Sequence, residues 1–451
     1  MPYAETLPPS YKHLPEPAEQ PPFDGERGMR VVHLSTYDVI GGAGRAAYRI
    51  HSGLREAGIH SSMFVREART KDQSVITFDP SQTLYRRVAR RIRREQIQRK
   101  LHRSVPAGNR KFEPFRYDRS EYGTDVIAQI PDCDVVNLHW VVDFVDYPSF
   151  FESLPERKRV VWTLHDMNPF TGGCHYDLGC GRHLTRCHQC PQLQSQEDDD
   201  LSAQIWDRKK VLFERIAPSR LHIATPSSWL AEEVKRSPLL NRFPVTVIPN
   251  GINLEDFAPR NKQSARDVFG IPQQSKVVLF VADGLPLYRK GFGVLAEALE
   301  RVGQRIPNVC LVCVGHNDPP PGLRVPWIHL GYVGNDRLLS NIYSAADVFV
   351  IPSFQDNLPN TVLESMACGT PVAGFSVGGI PDMVQHGKTG LLAPPFDALS
   401  LGTAITELLK NTERRLTFSS NCRRVAVHRF SVARQAVLYY ELYKNVLQYD
   451  A

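Results

Sequence analysis

What most constrains the fold is one pattern that occurs twice: short apolar runs, each followed by a stretch with helical spacing. The first series has runs at 30–35, 62–65, 134–138, 160–164 and 222–225, and the second at 277–281, 309–314, 348–351 and 372–374. Between them lie helical stretches. One carries Ala46, Ala47, Ile50 and Leu54 on a single face, and others span 291–302 and 361–367. Strands that alternate with helices form a parallel sheet covered on both faces. The turn Pro249-Asn250-Gly251 separates the two series. We therefore expect an α/β protein of two Rossmann-like domains, 29–245 and 246–418, facing each other across a central cleft. Residues 1–28, with seven prolines, read as a disordered tail. Residues 419–451 read as helices that could pack on either domain or cross back to the first.

In open α/β sheets ligands bind outside the carboxyl ends of the strands, so residues there carry most weight. After the run 348–351, Asp356 and Glu364 are separated by seven residues. The loop Asn357-Leu358-Pro359-Asn360 between them feeds a helix that Thr361 is expected to cap. The amides and positive end of that helix suit phosphate or sugar oxygens. Glu364, near its first turn, can grip two vicinal hydroxyls such as those of ribose. Upstream, Asp283-Gly284 and then Arg289-Lys290-Gly291 follow the run 277–281. Two adjacent cations at a helix start can neutralise a leaving diphosphate. In the first half, His165 closes the run Val160–Leu164, and His139-Trp140 closes another, where it is expected to line the acceptor side. Gly41-Gly42-Ala43-Gly44 reads as a turn whose glycines let backbone approach a ligand.

Taken together these residues resemble glycosyltransferase family 4, retaining transferases with the two-domain GT-B fold, and the resemblance spans about 29–410. The acid–x7–Glu signature falls on Asp356 and Glu364. It implies that Asp356 faces the donor sugar and Glu364 holds the nucleotide ribose, although the family usually has Glu at the first position. Lys290 matches the lysine that meets the donor diphosphate. The usual arginine position, after Gly284, holds Leu285, and Arg289 is expected to compensate. His165 matches the active-site histidine at the donor sugar. Gly42 and Gly44 match the N-terminal glycine loop near donor phosphate and acceptor, and Gly378-Gly379 a second glycine turn near the donor. The implied activity is transfer of a sugar from a nucleotide-sugar donor to a glycan or polyprenyl-linked acceptor, with retention and without a catalytic metal. The stretch 163–193 is similar to a bacterial exopolysaccharide subgroup of colanic-acid type. A sugar phosphorylase or an epimerase on the same fold is the alternative. Asp132-Cys133-Asp134 has the metal-holding form used by the other glycosyltransferase fold, but it opens a strand and reads as chance.

The first 28 residues lack the basic start and apolar stretch of a signal peptide, and no apolar run approaches the ~20 residues of a membrane span. A reducing, cytoplasmic setting is expected, with the nine cysteines as thiols or metal ligands. Cys174, Cys180, Cys187 and Cys190 crowd a glycine-rich loop, 172–193. Four thiolates there suit a structural tetrahedral zinc. Free thiols, disulfides or an iron–sulfur cluster are the other readings, with His175, His183 and His188 as replacement ligands. Cys310 and Cys313 flank a core strand and read as packing. From Leu84 to Arg103 runs a strongly basic helix with a narrow apolar face of Leu84, Val88, Ile92 and Leu101. It could lie on an anionic membrane, at the inner face of the cytoplasmic membrane, or pack as a solvated helix on its own domain. A net charge of +6 is too weak to argue for nucleic acid. A zinc-containing nucleic-acid-binding protein would leave Asp356, Glu364, Lys290 and His165 unexplained, so no nucleic-acid partner is expected.

Overall fold

The computed structural model describes residues 28–106, 113–319 and 322–448. The expected Pro-rich tail lies outside the described residues, apart from Gly28. The chain divides into two compact units. One runs to Pro249 and resumes at Gln435, and the other spans Asn250–Arg434.

The first unit is built on seven strands: β1 (Arg30–Tyr37), β2 (His60–Glu67), β3 (Val75–Thr77), β4 (Val135–Leu138), β5 (Arg159–Thr163), β6 (Leu221–Thr225) and β7 (Val245–Val247). They are parallel, in the order β3-β2-β1-β4-β5-β6-β7. Its helices are α1 (Gly41–Glu56), α2 (Leu84–Ser104), α3 (Tyr147–Ser153), α4 (Leu201–Arg215) and α5 (Ser228–Arg236). The edge strands β3 and β7 are absent from the sequence-based expectation. Each has three residues and none is fully buried, so neither produces an apolar run.

The second unit has β8 (Lys276–Gly284), β9 (Val309–His316), β10 (Trp327–His329), β11 (Val348–Ile351), β12 (Val372–Phe375) and β13 (Gly390–Ala393). All are parallel, in the order β10-β9-β8-β11-β12-β13. Helices α6 (Lys262–Val268), α7 (Phe292–Arg305), α8 (Asp336–Ala345), α9 (Asn360–Ala367), α10 (Ile380–Met383), α11 (Ala398–Lys410) and α12 (Thr412–Arg429) belong to it. Alternate residues of β8 feed opposite cores, Val277 and Leu279 one, Val278 and Phe280 the other. That is the pleat of a strand buried on both faces.

The last helix, α13 (Val432–Gln448), returns to the first unit from Gln435 onward. On one face of the first sheet, Val32, Val136, Val160 and Trp162 pack with Phe150, Phe151 and Phe213 of α3 and α4. On the other, Val31, Val135 and Val161 meet Ile50 and Leu54 of α1 and Ala436, Tyr439, Tyr443 and Val446 of α13. Asn137 Nδ2 donates to Tyr443 Oη at 2.7 Å, and Thr163 Oγ1 lies 3.1 Å from Tyr439 Oη. The segment expected as one C-terminal block, 419–451, therefore divides: α12 completes the second unit and α13 roofs the first.

Candidate active site

In the second unit, Asp356 is held at the carboxyl end of β11 by residues that leave β8. Lys290 Nζ sits 2.6 Å from Asp356 Oδ2, and Arg289 Nη1 lies 3.2 Å from the same oxygen. Ser353 Oγ donates to Oδ2 at 3.3 Å, and the Asn357 amide to Oδ1 at 3.2 Å. Asp356 is 5% exposed. Burial alone would raise its pKa, but Lys290 and Arg289 outweigh that and hold it down to about 2. The carboxylate is therefore ionised and saturated with cations.

Two turns make this approach possible. Gly291, at φ +73°, ends the Tyr288–Lys290 turn, and a Cβ there would lie 1.9 Å from the Pro352 carbonyl oxygen. Gly378, at φ +54°, brings the turn after β12 against Asp356, where a Cβ would meet the Asp356 carbonyl at 1.8 Å. Only glycine fits either position. The Gly379 amide donates to the Asp356 carbonyl at 3.1 Å, and Phe354 N to the Arg289 carbonyl at 2.8 Å. Gly284 ends β8 at a register shift opposite β9, and Leu285, in the position expected for arginine, is fully buried.

Helix α9 starts at Asn360, with Pro359 as its N-cap residue and no side-chain cap. The expectation that Thr361 caps it is corrected: Thr361 is already the second helical residue. Pro359 tolerates the cap position because its missing N–H is one the helix would leave unpaired. Leu358 and Asn360 are tied back by Asn250, whose Nδ2 donates to the Leu358 carbonyl and Asn360 Oδ1, both at 3.2 Å. Glu364 falls in the second turn rather than the first. It is 4% exposed and accepts from Tyr343 Oη of α8 at 3.0 Å. Asn250, Ser353 and Tyr343 are supporting residues that the sequence motif does not single out. Polar side chains of this size become visible only when the fold brings distant strands together.

In the first unit, His165 lies two residues beyond β5, half-buried, and its Nε2 is 3.1 Å from His139 Nδ1. His139 Nε2 is in turn 2.9 Å from His33 Nδ1 on β1. His139, expected to line an acceptor surface, is instead 2% exposed and enclosed between the other two rings. Burial holds His165 down to about 4, against the opposing pull of Asp166. His33 and His139 are pushed well below the usual imidazole value by burial, with neighbouring histidines adding to it. Asp166 accepts from Trp140 Nε1 at 3.1 Å and pairs with His175 Nδ1 at 2.7 Å. That pair overcomes burial and raises the His175 pKa, so His175 Nδ1 is committed to Asp166. Gly41, Gly42 and Gly44 form the first turn of α1 rather than a separate loop. A Cβ on Gly44 would lie 3.0 Å from the Asp38 carbonyl, so glycine lets the helix sit tightly on the end of β1.

Beyond Asp166, Lys209 of α4 is buried under the turn and donates to the carbonyls of Asn168 (2.6 Å) and Thr171 (2.9 Å). Burial lowers its pKa to about 8. Cys174, Cys180, Cys187 and Cys190 then line one small cavity with Phe115 and His183, and the Gly172 amide donates to Cys187 Sγ at 3.2 Å. All nine cysteines are unpaired thiols. Donor chemistry and shared cavity suit a thiophilic cation. The side chains as placed do not converge: among the described residues, no three His, Cys, Asp or Glu groups are arranged to hold a metal ion. Asp132 instead pairs with Arg30 and Lys158 at the opposite, opening end of the sheet. No residue of α2 is buried, and Leu84 and Tyr85 are 76% and 82% exposed. Ile97 and Leu101 rest on a small cluster around Phe115 and Ile205, while Arg94 and Arg86 pair with Glu121 and Asp125. Among the described residues no helix is long and apolar enough to cross a membrane.

Both units match families of known proteins. Residues 40–256 match the model described as Glycosyltransferase Family 4, and residues 275–411 that described as Glycosyl transferases group 1. With its two parallel α/β sheets, the chain has the two-domain GT-B fold, and each unit is similar to a glycosyltransferase family model. It is 34% identical over 221 residues to D-inositol 3-phosphate glycosyltransferase of Thermobispora bispora, covering 45% of this chain and 51% of that one. It is 30% identical over 242 residues to 2-deoxystreptamine N-acetyl-D-glucosaminyltransferase of Streptomyces fradiae, covering 50% and 56%. The chain thus spans about half the length of these curated relatives. Among solved structures, sucrose-phosphate synthase from Thermosynechococcus elongatus aligns with a TM-score of 0.62 at 21% identity, over 92% of this chain and 99% of that one. Anabaena HepE in complex with UDP-glucose gives 0.60 at 17%, over 92% and 100%. At these identities the structures establish the shared fold.

Proposed function

We propose that this protein transfers a sugar from a nucleotide-sugar donor to a glycan or polyprenyl-linked acceptor, with retention of anomeric configuration, in bacterial polysaccharide biosynthesis. The observation that carries the reading is the cluster of Lys290, Arg289 and Asp356 at adjacent strand ends, one helix away from the buried Glu364. Glu364 takes the ribose diol, and Lys290 and Arg289 take the diphosphate. Amides at 357–361, with the turns at Gly284, Gly42 and Gly44, approach phosphate and sugar oxygens. Asp356 and His165 contact the transferred sugar. The bond from the anomeric carbon to the diphosphate breaks and a bond to the acceptor oxygen forms on the same face. The acceptor's proton goes to the departing phosphate. A cationic site is suited to this step because charge develops on the leaving diphosphate. The names of the relatives support sugar transfer, and the UDP-glucose complex of HepE supports a nucleotide-sugar donor.

The decisive experiment is a thermal-shift screen of the purified chain against nucleoside diphosphate sugars, followed by a transfer assay with the stabilising donor. One donor should raise the midpoint, and its sugar should reach an acceptor as the α-linked product from an α-linked donor. A panel without any stabilising donor contradicts the reading. Turnover that needs inorganic phosphate and no acceptor replaces it with a phosphorylase, and donor converted without transfer replaces it with an epimerase.

Two further parts belong to the proposal. The thiols of Cys174, Cys180, Cys187 and Cys190 hold a structural zinc that shapes the acceptor side. The exposed face of α2 rests on the anionic inner surface of the cytoplasmic membrane, where a polyprenyl-linked acceptor resides.

A further inference from the structure

Three histidines form one hydrogen-bonded row, and the row has a direction. Residues 31, 33, 135, 137, 139, 161, 163 and 165 share one parity across the neighbouring strands β1, β4 and β5. The pleat places Val31, Val135 and Val161 on the face covered by α1 and α13. His33, His139 and His165 follow on that face toward the carboxyl ends. His139 uses both of its ring nitrogens in the row, Nε2 with His33 and Nδ1 with His165. A neutral imidazole has one N–H and one lone pair, so His139 donates to one neighbour and accepts from the other. The row therefore runs wholly one way or wholly the other.

The far end decides between them. His33 Nε2 is buried and has no hydrogen-bond partner among the described residues. Run from His165 toward His33, the row would strand an N–H there. Run from His33 toward His165, it leaves only a lone pair, and unpaired buried N–H groups are the rarer of the two in folded proteins. The neighbouring ring outside the row, His51, cannot relieve it. Ser74 gives its hydroxyl proton to Asp72 (2.6 Å), so His51 donates from Nε2 to Ser74 (2.8 Å) and accepts at Nδ1 from Ser61 (2.7 Å).

We propose that His33 and His139 are positioning residues that fix the tautomer of His165: the row delivers an N–H to His165 Nε2, so His165 carries its own proton on Nδ1. In the proposed transfer reaction, on which this role rests, His165 Nε2 is then held by the row and cannot serve as a proton acceptor. His51 stands beside His33, Asp166 follows His165, and Thr163, Asn137, Tyr439 and Tyr443 lie one step deeper on the same face.

The test is long-range nitrogen–proton NMR of the histidine rings in the full chain, with His139→Gln and His139→Phe beside wild type. Wild type should show His139 and His165 as Nδ1–H tautomers at neutral pH. His139→Gln can still donate to His165 Nε2 and should keep that pattern. His139→Phe removes the donor, so His165 should shift to the Nε2–H form. With the stabilising donor, His139→Phe should lose about tenfold in kcat with KM unchanged, the scale of one hydrogen bond, and His139→Gln should recover most of it. An Nε2–H signal from His165 in wild type, or a His139→Phe spectrum with the wild-type tautomer, overturns the proposal. The spectrum needs no turnover. A correct tautomer in a chain that transfers no sugar would refute the functional reading alone.

Discussion

In the proposed reaction a single residue, Asp356, serves both stability and chemistry. It is buried and ionised because two cations and two hydrogen-bond donors surround it. In the proposed reaction a diphosphate entering the site would compete with it for Lys290, which has three N–H donors and can serve both. Replacing Lys290 with Ala should therefore act twice. Turnover should fall by at least about 100-fold, the usual loss when a donor to developing charge is removed. The second unit should also lose stability, because Asp356 keeps only Arg289 as its cation. Glu364→Ala should behave differently, weakening nucleotide binding by about tenfold or more through the loss of a charged hydrogen-bond acceptor. Calorimetric titration with the nucleotide and steady-state rates separate the two. Wild-type rates in Lys290→Ala, or wild-type nucleotide affinity in Glu364→Ala, would remove those residues from their assigned roles.

At the scale of elements, legibility in the sequence followed burial. Strands β1, β4, β5, β8, β9 and β11 each carry a buried stretch with consecutive apolar residues and stand out as runs. The edge strands β3 and β7 do not, because their half-exposed residues carry no periodic signal. The acid–x7–Glu spacing pointed to both carboxylates, but not to Tyr343 or Ser353, which meet them only through tertiary packing. His33 was likewise hidden inside an apolar strand, although its parity with His139 and His165 was a usable signal. Helix α2 was read correctly as a helix, and its exposed Leu84, Tyr85, Val88 and Ile92 give it a surface to test. In flotation assays the chain should bind vesicles containing anionic phospholipid and lose binding in neutral vesicles or high salt. Replacing Arg87, Arg90 and Arg91 with Glu should abolish it. No binding to anionic vesicles would instead mark α2 as an ordinary solvated helix. For the cysteine loop, metal analysis should find about one zinc per chain, and Cys187→Ser should lower both zinc content and thermal midpoint. Metal-free protein with the same midpoint would return the four cysteines to plain thiols.

For the whole molecule, the buried histidines make the first unit the acid-sensitive half. His51, His165 and His222 are each held at about 4 by burial, and burial also pushes His33 and His139 well below the usual imidazole value. A histidine with a depressed native pKa binds fewer protons folded than unfolded between its native value and its ordinary 6.5. Stability therefore rises with pH across that window and is lost as pH falls from about 6.5 toward 4. Each fully buried group contributes a slope of up to about 1.4 kcal/mol per pH unit within it. His175 works the other way. Its pKa is raised by Asp166, so its contribution is complete below 6.5 and fades at higher pH, one group against five. The thermal midpoint should therefore drop by several degrees between pH 7 and pH 5. Hydrogen exchange should locate the first loss of protection in β1, β4 and β5. His51→Gln can still bridge Ser61 and Ser74 without titrating, and it should flatten the slope by about one proton. A midpoint that stays constant over this range, or protection lost first in β8 and β11, would mean that the buried rings are not what sets the acid limit of the fold.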